Sequence, residues 1–255
     1  MIYVCIPARD EERTIGLLLW KVRKTLLEFG RDFEVLVLDD GSTDGTADVL
    51  SRYAGFLPMR VIREKEHLGY GGAVERLLRE VVERSAYPKR DVAVTLQADF
   101  TEDPADLVAM VKRIEGGADL VAGTLVPSLA ALPRAYRISR RFARLLLGRA
   151  HRRAPVSDPL SGFRAYRVIV LKKAFRERDP GGRIRNATGW GANLQILSLA
   201  APHARRIDEA TFAPVFTRRE RPSRFRPLAA LRGLFELRGV SWPAPQLPSE
   251  GEPAA

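Results

Sequence analysis

The chain has 255 residues, 45% of them hydrophobic and 29% charged, with a formal net charge of +11. That size suits one core with a small appendage, and no apolar run free of Lys and Arg is long enough to span a bilayer. The lone Cys5 excludes an internal disulfide, and the basic excess calls for a polyanionic partner: nucleic acid, anionic lipid or a phosphorylated substrate.

Met1–Pro7 reads as a short apolar strand rather than a secretory leader, because it lacks a basic start and meets charges at once. A cytoplasmic location is expected. In chain order Ile2–Ile6, Glu34–Leu38, Met59–Ile62, Val92–Leu96 and Leu120–Gly123 read as strands. Between them Glu11–Phe29, Asp44–Tyr53, Ala73–Arg84 and Pro104–Glu115 carry helical spacing, and Asp103 before Pro104 marks a helix start. Strand alternating with helix predicts an α/β fold, a mostly parallel central sheet with helices on both faces. Ligands of such sheets gather at the carboxyl ends of the strands.

Beyond Gly123 the pattern changes. Arg134–Arg153 holds eight arginines and no acid. It reads as a basic amphipathic helix with Ile138, Phe142, Leu145 and Leu146 on one side. Gly189–Leu199 reads as a helix, Glu209–Phe216 as extended, and Leu228–Leu237 as a last helix. Arg218–Arg226 adds five arginines against one Glu. Residues 1–238 form one expected domain, in halves 1–125 and 126–238. The Pro-, Ser-, Glu- and Ala-rich tail 239–255 is predicted to be disordered.

Three strand ends carry chemistry-bearing residues: Pro7 to Glu12, Asp39 to Gly45, and Gln97 to Phe100. Carboxylates there can accept hydrogen bonds from a base or ribose, or hold a divalent cation against a diphosphate. Turn and cap duty is the competing reading of each loop taken alone. His67, His151 and His203 share no ligand or triad spacing and read as structural or exposed.

Taken together the segments resemble glycosyltransferase family two, within it the dolichyl- or polyprenyl-phosphate mannose synthases, from about Ile2 to Leu237. The likeness rests on Pro7 and Glu11, Phe33 to Thr46, Gly69 to Ala73, Ala98-Asp99, Asp119 to Gly123, Asp158 to Tyr166, and the spacing of Arg218 and Arg224. It implies a GT-A, Rossmann-like fold over residues 1–238, with a nucleotide-binding and an acceptor-facing half. The implied activity is inverting transfer of a hexose, mannose in the mannose synthases, from a nucleotide-diphosphate sugar to a polyprenyl phosphate. By the same resemblance Pro7, Arg9, Glu11, Leu38 and Asp40 bind the nucleoside. Gln97, Ala98 and Asp99 occupy the Asp-x-Asp motif, so Asp99 and Gln97 become the ligands of Mg2+ or Mn2+. Arg218 and Arg224 contact phosphates, which makes Asp99, Arg218 and Arg224 the implied catalytic set.

Three positions depart from the family and each removes charge: Gln97 for the first acid of the motif, Leu125 for an arginine, and Gln195 for a glutamate. Arg9 stands where the family has an aromatic. These leave two alternatives open: a catalytically weak nucleotide-sugar-binding partner or regulator, and a family-two transferase with another acceptor. The basic helix is expected to lie on an anionic membrane surface, peripheral to its cytoplasmic face. The absent membrane span leaves room for a separate anchoring protein. A nucleic-acid partner is not expected, since no recognition helix or aromatic-interleaved basic strand occurs.

Overall fold

A computed structural model of the chain describes residues 1–125, 134–176, 184, 189–212, 227–237 and 242. Seven strands form one sheet: β1 (Ile2–Ala8), β2 (Phe33–Asp40), β3 (Met59–Glu64), β4 (Val92–Thr95), β5 (Leu120–Leu125), β6 (Arg164–Arg167) and β7 (Ile207–Phe212). Their order is β3-β2-β1-β4-β6-β5-β7. All neighbouring pairs are parallel except those of β6, which runs antiparallel between β4 and β5. The mostly parallel GT-A arrangement expected from the sequence is what the chain adopts, and this one reversed strand was not legible in it.

Period-two alternation assigns each strand residue to a face. Ile2, Val4 and Ile6 of β1 join a cluster under α1 (Ile15–Phe29) and α4 (Leu107–Glu115), while Tyr3 and Cys5 point into the opposite cluster. That second cluster is closed by α3 (Gly69–Arg84), α7 (Val168–Arg176) and α8 (Gly189–Ala200). α2 (Thr46–Tyr53) packs beside α1. Cys5 is fully buried, and burial pushes its thiol pKa up, so it is a core residue as its place in an apolar strand predicts.

A third, smaller cluster joins α8 to α5 (Arg134–Leu147), α6 (Arg149–Arg152) and α9 (Pro227–Glu236). The basic stretch expected as one helix is two, because Gly148 between them sits at φ 47°, a left-handed conformation that costs glycine little. The helix expected from Glu11 begins at Ile15, after a turn in which the amides of Thr14 and Ile15 both donate to Glu11 O. Of the tail expected to be disordered, only Trp242 is among the described residues. Its indole Nε1 donates to Ala150 O at 2.5 Å. No described helix is long and apolar enough to cross a membrane.

Candidate functional site

The expected donor-binding residues fall on three adjacent strands at the carboxyl edge of the sheet. Pro7 of β1 is in register with Leu38 of β2, and β4 flanks β1 on its other side. The three strand ends thus lie within about 10 Å of one another. Local chemistry then stitches the loops together. Asp10 accepts from the Thr43 amide at 2.6 Å, the Asp10 amide donates to Ser42 Oγ at 2.9 Å, and the Glu11 amide donates to Thr46 Oγ1 at 2.7 Å. Glu12 and Asp44 exchange bonds with each other's loops: the Glu12 amide donates to Asp44, and the Gly45 amide donates to Glu12. Many acids here are turn and cap groups, as each loop taken alone allows.

Asp40 and Glu11 are different, being nearly fully buried. Asp40 accepts from the Leu68 amide at 2.6 Å and lies 2.7 Å from His67 Nδ1, so it ties the loop after β3 to the site. Glu11 accepts from Thr14 Oγ1 at 2.8 Å. Arg9 places Nε 3.9 Å from Asp10 Oδ2 at the rim. His67, read from sequence as structural or exposed, is exposed and also meets the buried Asp40 carboxylate. Its separation of 27 residues from Asp40 left no periodic signal.

In the loops after β1 and β4 the backbone does something unusual. Phe100 adopts φ 58° and Asp10 φ 45°, the only non-glycine residues with positive φ among those described. Left-handed backbone at bulky residues costs free energy and concentrates at functional sites. Beside it, Asp99 Oδ1 accepts from Thr101 N at 3.0 Å and Thr101 Oγ1 at 2.5 Å. Gln97 turns inward: its backbone amide and side-chain Nε2 both donate to the carboxylate of Glu102, at 3.1 and 3.0 Å. Glu102 is 1% exposed. Sequence reading missed Glu102; the available signal was an acid five residues after an amide in the first motif position.

Gln97 and Asp99 thus present one carboxylate between them. No group of three or more His, Cys, Asp or Glu side chains that could hold an ion gathers among the described residues. Magnesium sites often take one or two carboxylates and complete the shell with substrate phosphates and water. This donor set fits a cation shared with a bound diphosphate, and not a cage made by protein alone.

The second half of the chain closes the floor beneath this motif. Thr95 Oγ1 of β4 donates to Gly162 O at 2.5 Å, and Arg164 donates to the carbonyls of Asn193 and Pro159. A Cβ at Gly162 would lie 2.5 Å from Tyr70 Oη and 2.9 Å from Asn193 Nδ2, so a larger residue there would force one of those side chains to shift. Burial first, and then the Glu102 charge, push the Tyr70 phenol pKa up. Leu125 ends β5 packed against the core, and Gln195 lies buried in α8. Neither brings a charge to the site. Arg218 and Arg224 lie outside the described residues.

The face that α5 turns to the domain is Ser139, Arg140, Ala143 and Leu147. Arg140 is not a surface cation: it pairs with buried Asp158 at 2.5 Å, and that acid, with Tyr136, raises its pKa against the lowering effect of burial. Turned to solvent are Ile138, Phe142 and Leu145, 56%, 56% and 77% exposed, on the same helix as the exposed Arg141 and Arg144. Leu146, expected with them, is half-buried against the third cluster. Leu228 and Phe235 of α9, which packs on α5, are exposed as well.

The family described as glycosyl transferase family 2 matches residues 3–175. An undecaprenyl-phosphate 4-deoxy-4-formamido-L-arabinose transferase of Pseudomonas aeruginosa is 31% identical over 121 residues, 48% of this chain and 34% of that protein. A dolichol-phosphate mannosyltransferase of Pyrococcus furiosus is 26% identical over 175 residues, 67% of this chain and 47% of that protein. The chain therefore spans about half the length, or less, of these curated relatives. Among solved structures, glucosyl-3-phosphoglycerate synthase of Mycobacterium tuberculosis with Mn2+, UDP-glucose and phosphoglyceric acid superimposes with a TM-score of 0.61. Its identity is 21%, over 94% of this chain and 80% of that one, a likeness of fold.

Proposed function

The chain belongs to glycosyl transferase family 2, and from that membership we propose that it transfers a hexose from a nucleotide-diphosphate sugar to a polyprenyl phosphate at a membrane surface. The observation that carries the lipid side of this reading is α5, whose Ile138, Phe142 and Leu145 face solvent among arginines instead of packing on the domain. A helix with that surface buries its apolar side chains at the headgroup boundary while the guanidiniums meet anionic lipid. The protein is then peripheral, on the cytoplasmic face, and the exposed Leu228 and Phe235 extend the same surface. An anchoring membrane protein is compatible with this placement.

The chemistry asks little of a base. A phosphate acceptor is anionic at neutral pH, so its oxygen attacks the anomeric carbon directly, the bond to the donor diphosphate breaks, and the nucleoside diphosphate leaves with the electron pair. Inversion follows from that single displacement. Pro7, Arg9, Glu11, Leu38 and Asp40 hold the nucleoside, with His67 and the Leu68 amide fixing the Asp40 carboxylate. Asp99, with Gln97 and Ala98 beside it, faces the diphosphate and would hold Mg2+ or Mn2+, whose positive charge stabilises the leaving group. Arg218 and Arg224 add cationic contacts to the phosphates. Mannose is the sugar that the sequence resemblance favours, and the arabinose-type relative makes an amino-sugar pentose the next donor to try.

A second reading draws on the Gln97–Glu102 pair and on Leu125: a protein that binds the donor and turns it over weakly. Titration calorimetry with GDP, UDP and GDP-mannose, with and without Mg2+ or Mn2+, separates the two. Tight binding of one nucleotide, strengthened by metal and losing that strengthening in Asp99→Ala, followed by transfer to a polyprenyl phosphate, is the expected result. Binding without transfer favours the second reading, and no binding of any nucleotide overturns both.

A further inference from the structure

α1 carries an apolar stripe that no described element covers. The helix buries Ile15, Leu18, Leu19, Val22 and Leu26 against the sheet. On its outer side Leu17, Trp20 and Leu27 are each more than half exposed, and the exposed Lys24 places its Nζ 5.7 Å from the centre of the Trp20 ring. At 3.6 residues per turn these four positions fall within about 80° of one another, opposite the buried set. α1 is the middle helix of its layer, in contact with α2 on one side and with the Pro104–Asp106 turn and α4 on the other. Those flanking helices present polar side chains, Ser51 and Arg52 on α2 and Lys112 and Glu115 on α4. An apolar centre inside a polar rim is the anatomy of a protein interface. Arg23 Nε donates to Phe56 O at 3.1 Å, which holds Phe56, 76% exposed, beside the same helix.

Charge and position narrow the choice of occupant. Residues 1–125 hold 22 Asp and Glu against 17 Lys and Arg, so the basic excess that suits anionic lipid lies in the other half of the chain. The sheet also separates this stripe from α5: α1 covers one of its faces, and α8, on which α5 packs, covers the other. What the stripe matches is its own reverse. Leu17, Trp20, Lys24 and Leu27 are spaced three, four and three residues apart, a heptad seam symmetric about the level of Val22. On a second α1 laid antiparallel, Leu17 meets the partner's Leu27 at each end, and Trp20 meets the partner's Lys24. A ring face attracts an ammonium, so that layer is complementary. The parallel arrangement would set lysine against lysine and is disfavoured. Covering the stripe and Phe56 removes about 500 Å2 from each protomer, roughly 1,000 Å2 in all, the lower limit for a specific contact and a fit to a dimer of micromolar strength.

We propose that α1 is a homodimer interface, in which two copies of the chain pair through antiparallel α1 helices about a two-fold axis at the level of Val22. The pairing leaves α5 of each protomer on the outside and does not depend on the transferase reading. Sedimentation velocity of the full chain from about 1 to 200 µM reads it, and the wild type passes from monomer to dimer across that range. Trp20→Glu, at an exposed position, weakens the dimer by about tenfold or more and leaves the melting temperature within a few degrees. The variant Ile138→Ser/Phe142→Ser/Leu145→Ser, on the far side of the sheet, leaves the dimer intact. Register is read by cross-linking: a Leu17→Cys chain mixed with a Leu27→Cys chain forms a disulfide-linked pair on oxidation, and neither variant links to itself. Cys5 is buried and stays out of that reaction. A wild type that is monomeric throughout, a dimer indifferent to Trp20→Glu or lost in the α5 variant, or linkage within either single-cysteine variant overturns the assignment. So does a monomer whose Trp20→Glu variant loses sedimentation with phosphatidylcholine vesicles, because the stripe then meets lipid.

Discussion

Replacing Gln97 by Glu tests the buried pair beneath the motif. The change is nearly isosteric, so a carboxylate oxygen takes the place of the amide nitrogen that now lies 3.0 Å from Glu102 Oε1. The hydrogen bond to a charged acceptor is lost, worth about 1.5–3 kcal/mol. Two carboxylates at that distance do not both ionise, and the pair retains a proton. Holding a carboxyl of ordinary pKa near 4.3 protonated at pH 7.5 costs up to about 4 kcal/mol, at roughly 1.4 kcal/mol per pH unit. The retained proton re-forms one hydrogen bond, so the two losses do not add, and the expected destabilisation at pH 7.5 is about 2–4 kcal/mol. The folded pair then has a pKa raised above its unfolded value, so the folded state binds the extra proton and the penalty grows as pH rises above about 4.3. At pH 5 it should shrink to about 1 kcal/mol. Urea unfolding followed by circular dichroism at both pH values, with the wild type alongside, reads this directly. The exchange Gln97→Glu/Glu102→Gln reverses donor and acceptor and should restore stability to within about 1 kcal/mol. A loss that is equal at pH 5 and 7.5, or no loss at all, would refute the reasoning, because residue 97 would then be turning its carboxylate out to solvent.

Three further outcomes are expected. Gly162→Ala forces a Cβ to within 2.5 Å of Tyr70 Oη and should cost about 1–3 kcal/mol in the same unfolding assay. Arg140→Met leaves Asp158 buried without its cation and should cost about 3–5 kcal/mol, whereas Arg141→Ala, on the exposed side of α5, should stay within about 0.5 kcal/mol; similar losses would mean that Arg140 is a surface residue. The triple change Ile138→Ser/Phe142→Ser/Leu145→Ser should release the protein from anionic vesicles while leaving the melting temperature within a few degrees of the wild type, and retained sedimentation would remove α5 from the membrane contact.

Much of this protein was legible along the chain. The alternation of short apolar runs with helical spacing, the Asp103-Pro104 start and the acids at three strand ends are local signals, set by backbone propensity and caps within a few residues. They suffice for a mostly parallel α/β sheet and for the edge on which the proposed donor site lies. The apolar set on α5 was legible as a set, but periodicity cannot say which side of an amphipathic helix meets the domain. Only packing against α8 and α9 showed that Ala143 and Leu147 face inward while Ile138, Phe142 and Leu145 face out. Arg140 and Arg141 are neighbours with the same side chain, and burial beside Asp158 alone tells them apart. His67 meets Asp40 across 27 residues, and the antiparallel β6 slots between β4 and β5, through contacts that no local pattern encodes. Gln97 reads in sequence as a lost charge. In the fold its amide is a hydrogen-bond donor to a buried acid, because a carboxylate as enclosed as Glu102 needs donors beside it, and which donors are near is decided by the tertiary structure.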